Sequence, residues 1–208
     1  YRHFRTVPES AKCVCTLPMY IDDVYDFTAS NSPCRFVELN FENRIRAKGN
    51  EYKIPVTKGY LARLDISSLN RDSGSNEVFI ASEKDTKLFS SKYFWEFLHF
   101  AEDQKPQEVT SVFQSTAEHI RIAASDPSRV QTLLSDELVR VVDDYVKVTK
   151  NKVRISFIGD SVYVLIPSYD VSLSEPVEEL STEELQKHAL ETADSMSFVI
   201  RLANSVTK

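Results

Sequence analysis

The chain has 208 residues, 42% hydrophobic and 27% charged, the balance of a globular protein rather than a disordered or fibrous one. Its formal net charge of −6 argues against sequence-independent nucleic-acid binding, which needs clustered Lys and Arg to displace counterions. Only four glycines occur, Gly49, Gly59, Gly74 and Gly159, too far apart to build the glycine-rich cradle of N–H groups that a nucleotide phosphate requires, so no nucleotide is expected. No motif for another cofactor is read, and none is expected.

Residues 1–33 read as an N-terminal segment with a short helix. Pro18 suits a first helical turn, and Ile21, Val24, Tyr25 and Thr28 follow at helical spacing, until Asn31, Ser32 and Pro33 end the pattern. Three cysteines, Cys13, Cys15 and Cys34, cannot make a complete disulfide framework. Free thiols in a reducing compartment are the simplest reading. A Cys15–Cys34 bridge is one alternative; a zinc site from Cys13, Cys15, Cys34 and His3 is another, weakened by its C-x-C spacing. No apolar run approaches the length of a membrane-spanning helix and no signal peptide is visible. Because the chain begins at Tyr1 rather than Met, a membrane segment or an address ahead of it is an expectation.

Residues 34–208 read as one α+β domain, with a possible sub-boundary at 101–107. From Cys34 the period changes to two: Phe36, Glu38 and Asn40 alternate with Val37, Leu39 and Phe41, and β-formers on both sides predict a strand covered on part of both faces. After the Gly49-Asn50 turn signal, "EYKIPV" and "KGYLARLDIS" continue the strands as an antiparallel meander, and "EVFIAS" adds another beyond the loop "SLNRDSGSN". The run 87–104 concentrates aromatics. Phe89, Tyr93 and Phe97 recur at four-residue steps, which predicts core packing or, together with Phe94 and Trp95, an exposed patch for a protein partner.

"EVTSVFQ" and "HIRIAAS" look like strands. Asp126-Pro127 and Ser135 read as successive N-caps, the second opening a helix along Leu138, Val141, Val142, Tyr145 and Val146. "RISFIGDSVYVLIP" is a hairpin turning on Gly159-Asp160 and stopped by Pro167. Ser181 and Glu184 form a capping box for a final amphipathic helix through Leu185, Ala189, Met196, Val199, Ile200 and Ala203. The fold class is therefore α+β: a mostly antiparallel β-meander followed by a helix–hairpin–helix unit packed on the sheet.

Chemical motifs are scarce. His3, His99, His119 and His188 match no metal-ligand spacing, and no G-x-S-x-G elbow occurs. Asp22, Asp23 and Asp26 read as a solvated helix face; Asp143-Asp144 reads the same way, and "NRDSGSNE" departs from the register of a calcium loop. Arg44, Arg46, Lys48, Lys53 and Lys58 give the meander a basic surplus, either strand-edge charge or a contact for anionic headgroups.

Several stretches carry a resemblance: "KGYLARLDIS", "IRIAASDPSRVQTLLSDELVRVVDDY", the hairpin "ISFIGDSVYVLIP" and the step Glu175-Pro176. The run 36–206 resembles a bacterial domain family of unknown function, sometimes mis-tagged "galanin" and often encoded near LemA-type proteins. The chain departs from it at Pro127, Ser128 and Arg129, where the family often has acidic residues, and at Gln131 and Thr132, which replace its usual Arg-aromatic pair. The resemblance implies two membrane helices ahead of the domain and a tethered soluble domain on the cytoplasmic side; it brings no catalytic residues. The expected function is a non-catalytic module for a protein or membrane partner. The alternative is a hydrolase-type enzyme with a carboxylate and thiol site near Asp22, Asp23, Cys13 and Cys15.

Overall fold

Alternating apolar residues build one antiparallel sheet, and two capped helices cover one of its faces. The computed structural model describes residues 19–47, 50–67, 77–83, 106–168 and 181–206, with the side chains of 19–22, 40–47 and 50–58 left aside. Its strands are β1 (Met19–Ala29), β2 (Ser32–Ala47), β3 (Asn50–Asp65), β4 (Val78–Ser82), β5 (Gln107–Glu108), β6 (Ile120–Ala124), β7 (Arg154–Ile158) and β8 (Ser161–Ser168), in the order β1-β2-β3-β8-β7-β4-β6-β5. The helices are α1 (Val130–Leu133), α2 (Asp136–Thr149) and α3 (Thr182–Val206). This is an α+β fold with helices packed against a large antiparallel sheet.

The N-terminal helix expected from residue 18 onward is instead strand β1. Its register with β2 explains the misreading. Ile21 pairs with Leu39 and Val24 with Val37, so three steps on β1 match two on β2, and the extra residue is taken up in a bulge at Asp22-Asp23. The bulge sets two apolar residues at i and i+3, which counterfeits a helical period. Beyond it the period is two, with Tyr25, Phe27 and Ala29 opposite Phe36, Cys34 and Ser32. Ser30 and Asn31, both at positive φ, make the two-residue turn into β2, and the Ser30 hydroxyl donates to the Asn204 side chain at the end of α3. Strand β1 thus belongs to the same sheet as the other strands.

Other elements follow their local chemistry. Asp126 accepts from the Ser128 N–H at 3.0 Å, and Ser135 accepts from the Leu138 N–H at 3.2 Å, so both expected caps form. Glu184 and Ser181 close the capping box, with Ser181 N–H to Glu184 Oε2 at 2.8 Å and Glu184 N–H to Ser181 Oγ at 3.3 Å. Gly159 turns the β7–β8 hairpin at φ +53°. Pro167 lies inside β8, which runs on to Ser168, opposite Gly59. Of the expected strand "EVTSVFQ" only Glu108 is extended, as the second residue of β5, and a 3-10 turn follows over Thr110–Phe113. That turn buries Val109 and Phe113, a helical rather than strand spacing, while Thr110 Oγ1 takes the Ile122 N–H at 2.9 Å.

The core lies between the sheet and the helices. Phe36, Tyr60, Val164 and Ile155 meet Val142, Tyr145, Phe198 and Leu202 there. On α3 the buried residues are Phe198, Val199, Leu202, Ala203 and Val206, whereas Leu185 and Ile200 of the expected stripe are exposed. On the opposite sheet face Val37, Leu39, Leu61, Phe79 and Leu165 are also buried, so the central strands are covered on both sides as their double alternation predicts.

The joint between β3 and β8 is the tightest approach. A Cβ on Gly59 would stand 2.4 Å from the Ile166 carbonyl oxygen and 2.9 Å from Pro167 Cα, whereas one on Gly159 would meet nothing within 4 Å. Urea unfolding should therefore rank the two alanine variants. Gly59→Ala should cost about 2 kcal/mol or more, because backbone must move. Gly159→Ala should cost about 1 kcal/mol, from its left-handed conformation alone.

Candidate functional site

A hollow of about 650 Å³ with convergent polar groups opens between the C-terminal end of α2, the end of β8 and the middle of α3. Tyr60 and Tyr145 line it, each held from behind by a phenylalanine: Tyr60 stacks on Phe36 at 5.2 Å between ring centroids, and Tyr145 on Phe198 at 4.0 Å. The Tyr60 hydroxyl lies 3.0 Å from Thr192 Oγ1, which also lies 3.0 Å from the His188 carbonyl oxygen. Burial pushes both hydroxyls above the ordinary tyrosine value. Hydrogen bonds to Thr192 for Tyr60, and to Asn151 and Ser195 for Tyr145, partly offset it. Glu191 adds to the rise at both, Glu38 at Tyr60 and Asp194 at Tyr145. Glu191 is positioned by Ser168, whose hydroxyl donates to Oε2 at 3.3 Å.

Beside this hollow a buried carboxylate and a histidine join α3 to β2. Glu38 Oε2 is 3.4 Å from His188 Nε2, with the glutamate side chain only 7% exposed. His188 Nδ1 is buried with no hydrogen-bond partner among the described residues. Cross-strand pairing sets Glu38 opposite Tyr60, so acid, phenol and imidazole gather under one stretch of α3.

A second hollow, about 490 Å³, lies at the β1–β2–β3 end of the sheet. Arg35 Nε and a terminal nitrogen both reach Asp26 at 2.6 Å, a fork-to-carboxylate pair that raises the guanidinium's proton affinity. Arg63 stands directly across from Arg35 and donates to Ser161 Oγ at 3.3 Å. Asp65 accepts from the Ser67 hydroxyl at 2.6 Å and the Ser67 N–H at 3.0 Å, bonds that hold its carboxyl below the usual range, with the Arg63 charge adding. The Cys34 thiol here is free and buried. Burial first, and the Asp26 charge second, push it from 9.0 up to about 12, which keeps it a thiol and a poor nucleophile.

His119 and Asp143 form a third pair. The buried Asp143 accepts from the His119 backbone N–H at 2.6 Å and lies 2.9 Å from its Nδ1, tying the start of β6 to α2. This is the orienting half of an acid–histidine–nucleophile arrangement, but among the described residues no hydroxyl or thiol is bonded to the outer ring nitrogen.

The residues expected to matter are scattered. Phe89, Tyr93, Phe94, Trp95 and Phe97 lie outside the described residues, as do Cys13 and Cys15. Asp22 and Asp23 fall in the β1 bulge rather than on a helix face, and Asp23 is exposed. Sequence reading took Tyr145 for core and gave Tyr60, Glu191 and Asp194 no functional role. They converge only through the packing of α3 across β3 and α2. No family model matches the chain, and no curated protein or solved structure matches it.

The buried hydroxyls and thiol have a measurable consequence. Cys34, Tyr60 and Tyr145 all hold their protons more tightly folded than unfolded. Their contribution to stability is complete below the unfolded values, 9.0 for the thiol and 10.0 for the phenols, and is lost as pH rises through the folded ones. Stability should therefore fall above pH 9, by up to about 1.4 kcal/mol per pH unit for each proton released on unfolding. In mass-mapped alkylation at neutral pH, Cys34 should label at least about a hundredfold more slowly in the native chain than in the unfolded one.

Proposed function

We propose that this chain is a non-catalytic binding domain whose partner is a protein, engaged by strand addition along the free edge of β1. One observation carries this reading: β1 ends the sheet on its side and is paired, among the described residues, with β2 alone. A strand so placed presents a row of outward N–H and C=O groups, the template that extended peptides use. The opposite edge strand, β5, is only two residues long, a length that discourages addition. Val24 and Tyr25, 50% and 38% exposed, stand on β1 where the bulge ends and regular pairing resumes.

The neighbouring 490 Å³ hollow supports the same reading. Strand addition draws affinity from main-chain bonds and specificity from pockets for alternate side chains. A hollow carrying Arg35 and Arg63 beside Asp26 and Asp65 offers a polar side chain a partner of either sign. The aromatic run Phe89, Tyr93, Phe94, Trp95 and Phe97 is a second proposed contact, resting on composition. The membrane tether and cytoplasmic-side placement implied by the family resemblance belong to this proposal as a segment outside the described residues. No described helix is long and apolar enough to cross a membrane. No specific observation favours the hydrolase alternative at Asp22, Asp23, Cys13 and Cys15.

Extended peptides selected from a random library for binding should slow hydrogen exchange along β1. Val24→Lys places an edge-blocking charge on an exposed site; it should weaken those peptides about tenfold or more while changing stability by less than about 0.5 kcal/mol. Peptides that leave β1 exchange unchanged, or bind the variant equally well, would show that the edge is not the docking site.

A further inference from the structure

We propose that the 490 Å³ hollow at the β1–β2–β3 end of the sheet binds a free α-amino acid, its carboxylate held by Arg63 and its ammonium by Asp65. This goes beyond the edge-strand reading and does not rest on it. An added strand would lie outside β1, whereas Arg63 and Asp65 stand on β3, two strands further in. The volume falls within the range of roughly 300–1,000 Å³ typical of small-molecule sites.

Four charged side chains line the hollow, and they are not equally committed. Asp26 and Arg35 neutralise each other through their fork-to-carboxylate pair. Arg63 and Asp65 lie two residues apart on one face of β3, yet among the described residues neither makes an ion pair. Each is held by a hydroxyl instead. Arg63 donates from Nε to Ser161 Oγ at 3.3 Å, and Asp65 takes both Ser67 bonds, at 2.6 and 3.0 Å, on the single oxygen Oδ1. The terminal nitrogens of Arg63 and Oδ2 of Asp65 therefore carry no hydrogen bond among the described residues. Both side chains are half-buried, within a ligand's reach yet partly shielded from water, where charge-assisted bonds gain strength. Arg35 stands directly opposite Arg63, an unfavourable facing of like charges that a bound carboxylate would relieve.

An open guanidinium beside an open carboxylate oxygen calls for a ligand with both charges close together. Residues i and i+2 of a strand are about 6–7 Å apart. A carboxylate and an ammonium on one carbon bridge that gap, with charge-assisted bonds of about 2.7–2.9 Å at each end. A simple anion would meet Asp65 and a simple cation would meet Arg63, so each gains less than a zwitterion. The Ser67 bonds hold the Asp65 carboxyl below the usual range, which keeps it ionised at neutral pH. Exposed Pro33 and half-buried Phe27 border the same hollow and offer a wall to an apolar side chain.

The test is titration of the full chain with leucine, N-acetylleucine, which lacks the ammonium, and leucinamide, which lacks the carboxylate, followed by amide chemical shifts. A pH of about 6.5 keeps the amines protonated and the carboxylates ionised. Leucine should shift Thr28, Cys34, Asp65 and Ser67 and bind about tenfold more tightly than either analogue. Arg63→Gln should bring leucine down to the level of leucinamide, and Asp65→Asn should bring it down to that of N-acetylleucine. Val24→Lys, which blocks the strand edge, should leave leucine binding unchanged, so the two proposals fail separately. Unchanged circular dichroism identifies the variants that fold, and the three probes on the native chain decide even where a variant does not. No binding of leucine, equal binding of all three probes, shifts located elsewhere, or indifference to both charge variants would overturn the assignment.

Discussion

The approach of β3 to β8 holds the two halves of this sheet together. On one side stands the long ribbon β1–β2–β3, on the other the strands β8, β7, β4, β6 and β5, and among the described strands the ladder from Lys58–Ser168 to Asp65–Ser161 joins them. Gly59 lets the backbones close where a Cβ would meet the Ile166 carbonyl. Next along the strand, Tyr60 uses that closeness: it pairs with Ile166, faces Glu38 across β2 and sends its hydroxyl up to Thr192. The larger cleft and the Glu38–His188 pair both rest on this ladder, since each draws residues from both sides of it or from the helix laid over it.

Helix α3 is bound unevenly along its 25 residues. Its C-terminal half is seated by Phe198, Leu202 and Val206, each essentially fully buried and each contributing about 1.5–3 kcal/mol of apolar burial. Its N-terminal half exposes Leu185 and Leu190 and is held by polar contacts: the capping box, His188 to Glu38, and Tyr60 to Thr192. Such bonds add about 1 kcal/mol each. The half of the helix that walls the cleft is thus the more loosely held half.

The two edges of the sheet are treated differently. At β5 the ladder is cut to two residues by the Thr110–Phe113 turn, whose threonine hydroxyl takes a strand N–H. At β1 the edge is long, interrupted by one bulge and closed at its far end by the Ser30–Asn31 turn pinned to Asn204. An edge steadied at one end by a helix is a firm template for an incoming strand.

Elements governed by neighbouring residues were legible in the sequence: the caps at Asp126, Ser135 and Ser181, the Gly159 hairpin, and the strands around Phe36, Tyr60 and Ile80. The first strand was not, because a bulge gave Ile21 and Val24 a helical spacing and a local pattern cannot show a bulge that exists only against a partner strand. The α3 stripe was placed in part: Val199 and Ala203 are buried as expected, but so are Phe198 and Leu202, and Ile200 is not, since the burying surface comes from α2 and the sheet. The cleft was invisible. Tyr60, Tyr145, Glu191 and Asp194 lie far apart along the chain and each has an ordinary local role. Local chemistry determined the elements, because caps, turns and alternation act over a few residues. Only the tertiary structure decided which of them meet, because register and helix placement are set by contacts between distant segments.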